Sequence, residues 1–258
     1  MLRFRSLGSG SSGNATVVEA GNTLRTTRLL VDCGLGLRQL DQRLARAGLG
    51  SGAIDAIFIT HEHGDHIGCA KALALRERVP VWMSPGTYAA IGSPDFDGLF
   101  APVCDGQLMD LGEIQVRPFT VPHDAREPLQ LSCSDGATSL GILTDLGHAT
   151  AHVLDNLALC GALLLECNHE ADLLAFSPYP AFLKARVGGK YGHLSNAEAA
   201  AIAKALRHAG LTTVVAAHLS AQNNSPELAR KALSEALCCS MADIGVADPV
   251  HGTDWITV

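Results

Sequence analysis

The 258-residue chain has little of what would remove it from the ordinary globular class. Charged residues make up only 17% and apolar residues 47%, a balance that excludes a disordered polyelectrolyte. No apolar run reaches the roughly 18–20 residues needed to cross a bilayer. The longest, LALCGALLL at 157–165, is broken by a glycine. The opening MLRFRS lacks an apolar signal-peptide core, so a soluble, cytoplasmic protein without membrane partners is expected. The eight cysteines form no C-x-x-C pair, and Cys238 and Cys239 are adjacent. That argues against zinc ribbons and disulfide frameworks and for free thiols. A net charge of −7 excludes a surface coated in basic residues, though not a local basic patch. Aromatics, at 5%, lend little support to an extensive base-stacking platform. Internal repeats and low-complexity tails are missing.

What is present is a series of short β-branched runs bounded by glycine or proline. Strands are expected at 15–20, 28–34 and 53–60, and helices at 36–49 and 66–77. The segments 114–123 and 138–147 alternate as antiparallel strands do. Strands at 161–167 and 211–218 then accompany helices at 195–210 and 225–237. Ser195 and Ser225 stand where N-caps belong, the second followed by Pro226. Two strand groups with helices in both halves imply a four-layer α/β/β/α sandwich, as a single domain over 1–258.

The buried strand at 53–60 runs directly into THEHGDHIG, which carries His61, His63, Asp65 and His66. Three histidines and an aspartate at a strand end are difficult to explain as packing. Imidazoles suit zinc and iron, and carboxylates suit harder ions. His61 and His63 can converge on one ion, leaving Asp65 and His66 to face a second position. Further ligands are needed, and His123, Asp145 and His218 all close expected strands. Asp145, with two oxygens, has the chemistry to bridge two cations.

These motifs resemble the metallo-β-lactamase-fold hydrolases over nearly the whole chain. The resemblance implies His61, His63 and His123 at one metal, and Asp65, His66 and His218 at the other. Asp145 would bridge them, and Asp32 in LLVDCG would support the metal loop without ligating. Two divalent ions are implied, zinc first, with manganese or iron left open. An antibiotic substrate does not fit, because His66 is present and Asp145 stands where β-lactamases often carry a cysteine ligand. SLGSGSSGNA, VDCG, VPHDAREP, TDLG, ECNHE and GHLSN together look most like the YycJ/WalJ-like family of the phosphodiesterase branch, associated with 5′-exonuclease activity on DNA. The long tRNA-gripping insertion of ribonuclease Z has no room between His123 and Asp145.

The resemblance implies a phosphodiester substrate, DNA or RNA, attacked by a water held between two cations. His193 is the first choice to protonate the leaving oxygen and His169 the second, while Asp65 could also orient the water. Asn168 follows a strand, and Ser195 and Asn196 open a helix. They suit an oxyanion or merely cap. Lys184, Arg186 and Lys190 precede His193 as phosphate contacts or as an ordinary solvated loop. A small-molecule hydrolase of a cyclic diester, lactone or thioester is the alternative, and a non-catalytic metal-binding regulator a further one. LGSGSSGNA at 7–15 reads as a turn over the cleft, with Ser9, Ser11, Ser12 and Asn14 as substrate contacts.

Overall fold

The computed structural model describes residues 1–258. Its first sheet is built from β1 (Leu2–Gly8), β2 (Ala15–Gly21), β3 (Thr26–Val31), β4 (Ala56–Phe58), β5 (Val81–Met83) and β6 (Phe100–Pro102). The second contains β7 (Met109–Asp110), β8 (Gln115–Thr120), β9 (Leu129–Ser134), β10 (Ser139–Leu143), β11 (Ala162–Glu166), β12 (Thr213–Ala217) and β13 (Ile244–Val246). The last strand, β14 (Ile256–Thr257), returns to pair with β1, so each sheet has seven strands. In both sheets an antiparallel half passes into a parallel half, at β3–β4 and at β10–β11.

Strand periodicity explains the layering. Phe58 and Ala56 point into a cluster of 22 buried residues between the sheets, while Ile57 joins a second cluster under the first sheet's helices. Strands buried on both faces read as near-continuous apolar runs, which is how 56–59, within the strand expected at 53–60, looks in the sequence. Outside the first sheet lie α1 (Leu37–Arg46), α2 (Gly64–Ile67), α3 (Ala70–Glu77) and α4 (Pro85–Ala90). In the second half come α5 (Ala151–Leu157), α6 (Ala171–Phe176), α7 (Ala181–Val187), α8 (Asn196–Ala205) and α9 (Pro226–Leu237). Residues of α5, α8 and α9 enclose the third apolar cluster against the second sheet. The order is therefore helices, sheet, sheet, helices, the four-layer α/β/β/α sandwich expected.

Several boundaries differ from expectation for local reasons. The helix expected over 66–77 is two helices broken at Gly68, whose φ is 25°. A Cβ there would stand 2.4 Å from the Cys33 carbonyl oxygen, so only glycine fits. The helix expected to reach 210 ends at Ala205. Helices α4 to α7 and strands β6, β7, β9, β13 and β14 had no expectation. All cysteines are free. No helix is long and apolar enough to cross a membrane.

Candidate metal centre

The segments following β3, β4, β8, β10, β11 and β12 meet at one rim of the sandwich and bring the chemistry together. His63 Nδ1 lies 3.1 Å from His61 Nε2 and 3.3 Å from His123 Nε2. The outer nitrogens of the latter two are engaged. His61 Nδ1 lies 3.0 Å from Thr60 Oγ1, and His123 Nδ1 donates to the Gly192 carbonyl at 3.1 Å. That fixes each ring with its Nε2 lone pair facing inward. Burial, helped by neighbouring His66, pushes His61 well below the ordinary histidine range, and burial lowers His123. Neutral imidazoles converging on one point are the form a metal ion accepts.

A second group stands beside the first. His66 Nδ1 donates to Asp32 Oδ2 at 2.7 Å, leaving Nε2 3.1 Å from Asp145 Oδ2 and 3.7 Å from Asp65 Oδ2. His218 Nδ1 donates to Glu166 Oε1 at 3.2 Å, which leaves its Nε2 3.5 Å from Asp65 Oδ2. Asp145 belongs to clusters on both sides, with His61 and His66 and with His193 and His218; the donor atoms within each lie within 4.8 Å of one another. Burial opposes the charge on Asp145, but His218 and His66 overcome it and hold the carboxyl well below its ordinary range. His218, against burial, is raised to about 10 by Asp145, Asp65 and Glu166.

Asp145 Oδ2 and His218 Nε2 are buried, and no hydrogen bond reaches either. Orphaned buried polar atoms are costly, about 1–3 kcal/mol each, unless a partner occupies the space between them. With inward lone pairs on one side and carboxylate oxygens on the other, the donor set fits two divalent cations. The backbone carries a further mark. Of seven non-glycine residues with left-handed φ, three are Asp32 (63°), Asp145 (53°) and His218 (54°). Each stands one or two residues past the end of a strand (β3, β10 and β12), at the rim, at a strain of about 1–3 kcal/mol per residue.

Glu166 is the residue bonded to two of the site histidines that sequence reasoning did not single out. It ends β11, is wholly buried, and its Oε1 accepts from His193 Nδ1 at 2.8 Å as well as from His218. Its Oε2 accepts from the backbone of Leu146 and Leu194, both at 3.2 Å. Burial would raise its carboxyl, yet His193 and His218 bring it down to about 2. The signal was its place directly after four buried apolar residues, ahead of Cys167 and Asn168. A cleft of about 380 Å³ opens over the cluster, lined among others by Ser11, Asp65, Tyr179, Arg186 and His193.

The sequence pattern of the Metallo-beta-lactamase superfamily matches residues 8–218. The chain belongs to this superfamily. An exodeoxyribonuclease, YycJ of Bacillus anthracis, is 32% identical over 257 residues, covering 98% of this chain and 96% of the relative. Among solved structures, the metallo-beta-lactamase fold protein YhfI from Bacillus subtilis superposes with a TM-score of 0.76 at 17% identity, over 99% of this chain and 98% of that one. Zinc-bound PqqB from Methylobacterium extorquens gives a TM-score of 0.67 at 15% identity, over 99% and 100%.

In this metallo-beta-lactamase fold, the seven expected donors His61, His63, Asp65, His66, His123, Asp145 and His218 all meet at the rim, with Asp32 behind His66. The residues expected at substrate divide. Ser11, Asn168 and Arg186 line the cleft. Arg186 Nε donates to Asp124 Oδ2 at 2.5 Å, and Asn168 Nδ2 to the His218 carbonyl.

The others do not line it. Ser9 is buried and its Oγ accepts from the His218 backbone N–H at 2.8 Å, so it shapes the metal loop. Asn14 lies beneath the cluster, its side chain bonded to Gly10 and Asp65 and 3.1 Å from His66 Nε2. Ser12 is exposed at the turn, outside the cleft lining. Ser195 is an N-cap in a reciprocal capping box with Glu198, and Asn196 bonds Glu170 and Asn224. Lys184 donates to the Ala175 carbonyl, and Lys190 is exposed beyond the lining. His169 is buried behind the cleft wall with its Nδ1 unpartnered, whereas His193 is in the lining.

Proposed function

We propose that this hydrolase is a dinuclear metal-dependent phosphodiesterase that acts as an exonuclease on DNA, with the 5′ end as the expected polarity. One observation carries the reading. Seven donors converge on two adjacent positions, and His193, tethered by Glu166, stands beside them in an open cleft. The name exodeoxyribonuclease of the YycJ relative, matched over nearly its whole length, supports the choice of DNA.

His61, His63 and His123 would hold one ion, and Asp65, His66 and His218 the other, with Asp145 touching both. The imidazole-rich donor set favours zinc, the ion named in PqqB, with manganese or iron compatible with the carboxylates. Bound cations would supply a polarised water at neutral pH and offset the charge growing on the phosphoryl oxygens. The chain's own residues do the rest. Glu166 fixes the His193 ring through Nδ1, so Nε2 is the atom free to give a proton to the leaving oxygen. Burial disfavours the charge on His193, but Glu166 and Asp145 outweigh it and raise its pKa, which keeps that proton available. Asp65, in the cleft lining, would offer its other carboxylate oxygen to orient the attacking water. Arg186, held by Asp124 in the cleft lining, would turn its remaining guanidinium N–H groups to the phosphate.

The test is purified protein loaded with zinc or manganese, assayed on 5′- and 3′-labelled single- and double-stranded DNA, on RNA and on bis(p-nitrophenyl) phosphate. His63→Ala serves as the blank. Stepwise shortening of DNA from one end is expected. Activity confined to the small diester would instead make this a small-molecule hydrolase.

A further inference from the structure

The few aromatic residues of this chain are not evenly distributed. Phe4, Phe58, Phe96 and Phe119 are in the core. The exposed ones are Phe176 (88%), Phe182 (75%) and Tyr191 (60%), and all three lie on the segment that carries the ends of α6, α7 and the loop before His193. The same segment supplies Tyr179, Leu183, Arg186 and Val187 to the cleft lining, so the exposed rings are close in sequence to residues that form the cleft wall. Its pieces are joined. Lys184 Nζ donates to the Ala175 carbonyl, linking α7 to α6, and the Tyr191 carbonyl accepts from the Asp124 backbone beside His123. Residues 176–193 contain Lys184, Arg186 and Lys190 and not one acid, in a chain whose net charge is −7; Arg186 is paired with Asp124, which leaves the two lysines without a carboxylate partner.

An exposed aromatic ring gains nothing from water, and three rings interleaved with cations on an acidic protein match one ligand chemistry. Single-stranded nucleic acid offers π-faces for stacking and a phosphate at every step for the cations. We propose that the 176–193 segment is a stacking platform that carries the bases of single-stranded DNA leading into the cleft. The proposal rests on the DNA reading above. Aromatics are scarce overall, but the exposed ones are concentrated on this segment.

Phe176 and Phe182 are exposed, so their removal leaves the core intact. The experiment measures fluorescence anisotropy of the metal-loaded protein with a labelled, phosphorothioate-linked single-stranded dodecamer, with and without abasic sites, alongside KM for a cleavable oligonucleotide. The double variant F176A/F182A should bind the normal dodecamer about tenfold or more weaker and raise KM in proportion. It should no longer distinguish normal from abasic strands, and its salt dependence should match wild type. Lys184→Ala with Lys190→Ala should instead flatten the salt dependence.

Unchanged affinity of F176A/F182A would overturn the platform while leaving the nuclease reading intact, provided that wild type shortens DNA. Equal loss on normal and abasic strands would also overturn it. Conversion of a wild-type dimer to a monomer with DNA binding untouched would assign the patch to a second copy of the chain. A wild type that neither binds nor cuts DNA would remove both readings together.

Discussion

Glu166 holds His193 through a 2.8 Å hydrogen bond from a position that is itself wholly buried, while 23% of the His193 side chain faces the cleft. A fixed carboxylate behind a partly exposed imidazole is an arrangement for presenting one nitrogen and one proton. Glu166→Gln keeps the shape and removes the charge, and turnover should fall about 10–100-fold at saturating metal. If Glu166 acts through His193, the double variant with His193→Ala should be no slower than His193→Ala alone. Losses that multiply would mean that Glu166 acts through His218 instead.

Asp32 plays the corresponding part for His66. Neither residue faces solvent appreciably, and Thr60 donates from both its backbone and its hydroxyl to the same carboxylate. Asp32→Asn should weaken metal binding about 10–100-fold, measured by competition with a chromogenic chelator. Unaltered affinity would show that His66 keeps its orientation without this partner.

Asn14 ties the Gly/Ser turn to the metal loop. Replacement by alanine removes buried hydrogen bonds to Gly10 and Asp65, so a loss of about 1–3 kcal/mol in unfolding free energy is expected. Denaturant titration and metal retention should both report it. A variant of wild-type stability with a raised KM would place Asn14 at the substrate after all.

Metal removal should destabilise the fold. Ions that bind only the folded cluster add about 4 kcal/mol at a thousand times their dissociation constant. The Tm of chelator-treated protein should therefore rise on adding zinc, and His63→Ala should blunt the rise. A Tm indifferent to zinc and manganese would contradict a metal centre in this cluster.

Much of this was legible along the chain because it is local. Alternating apolar residues at 114–123 and 138–147 mark strands, and the short apolar runs at 56–59 and 162–165 mark strands buried on both faces. Metal-type side chains at strand ends are visible for the same reason: a strand end is readable, and a histidine or aspartate has no packing purpose there. Gly68, in contrast, splits a helix because of the Cys33 carbonyl, which no helical periodicity reveals.

The sequence by itself therefore determined the layers and the donor set, since both follow from side-chain chemistry at fixed spacing. Tertiary structure decided the roles around the donors. Ser9 meets the His218 backbone across 209 positions and Asn14 meets Asp65 across 51, which turns apparent substrate contacts into supports of the metal loop. Glu166 is marked locally only as a charge closing an apolar run, and becomes the anchor of two histidines only when the ends of β11 and β12 meet the loop before α8. The exposed aromatic face of 176–193 likewise exists only once the other rings are buried. Hydrogen bonding and burial are properties of distant segments brought together, and spacing along one strand or helix does not carry them.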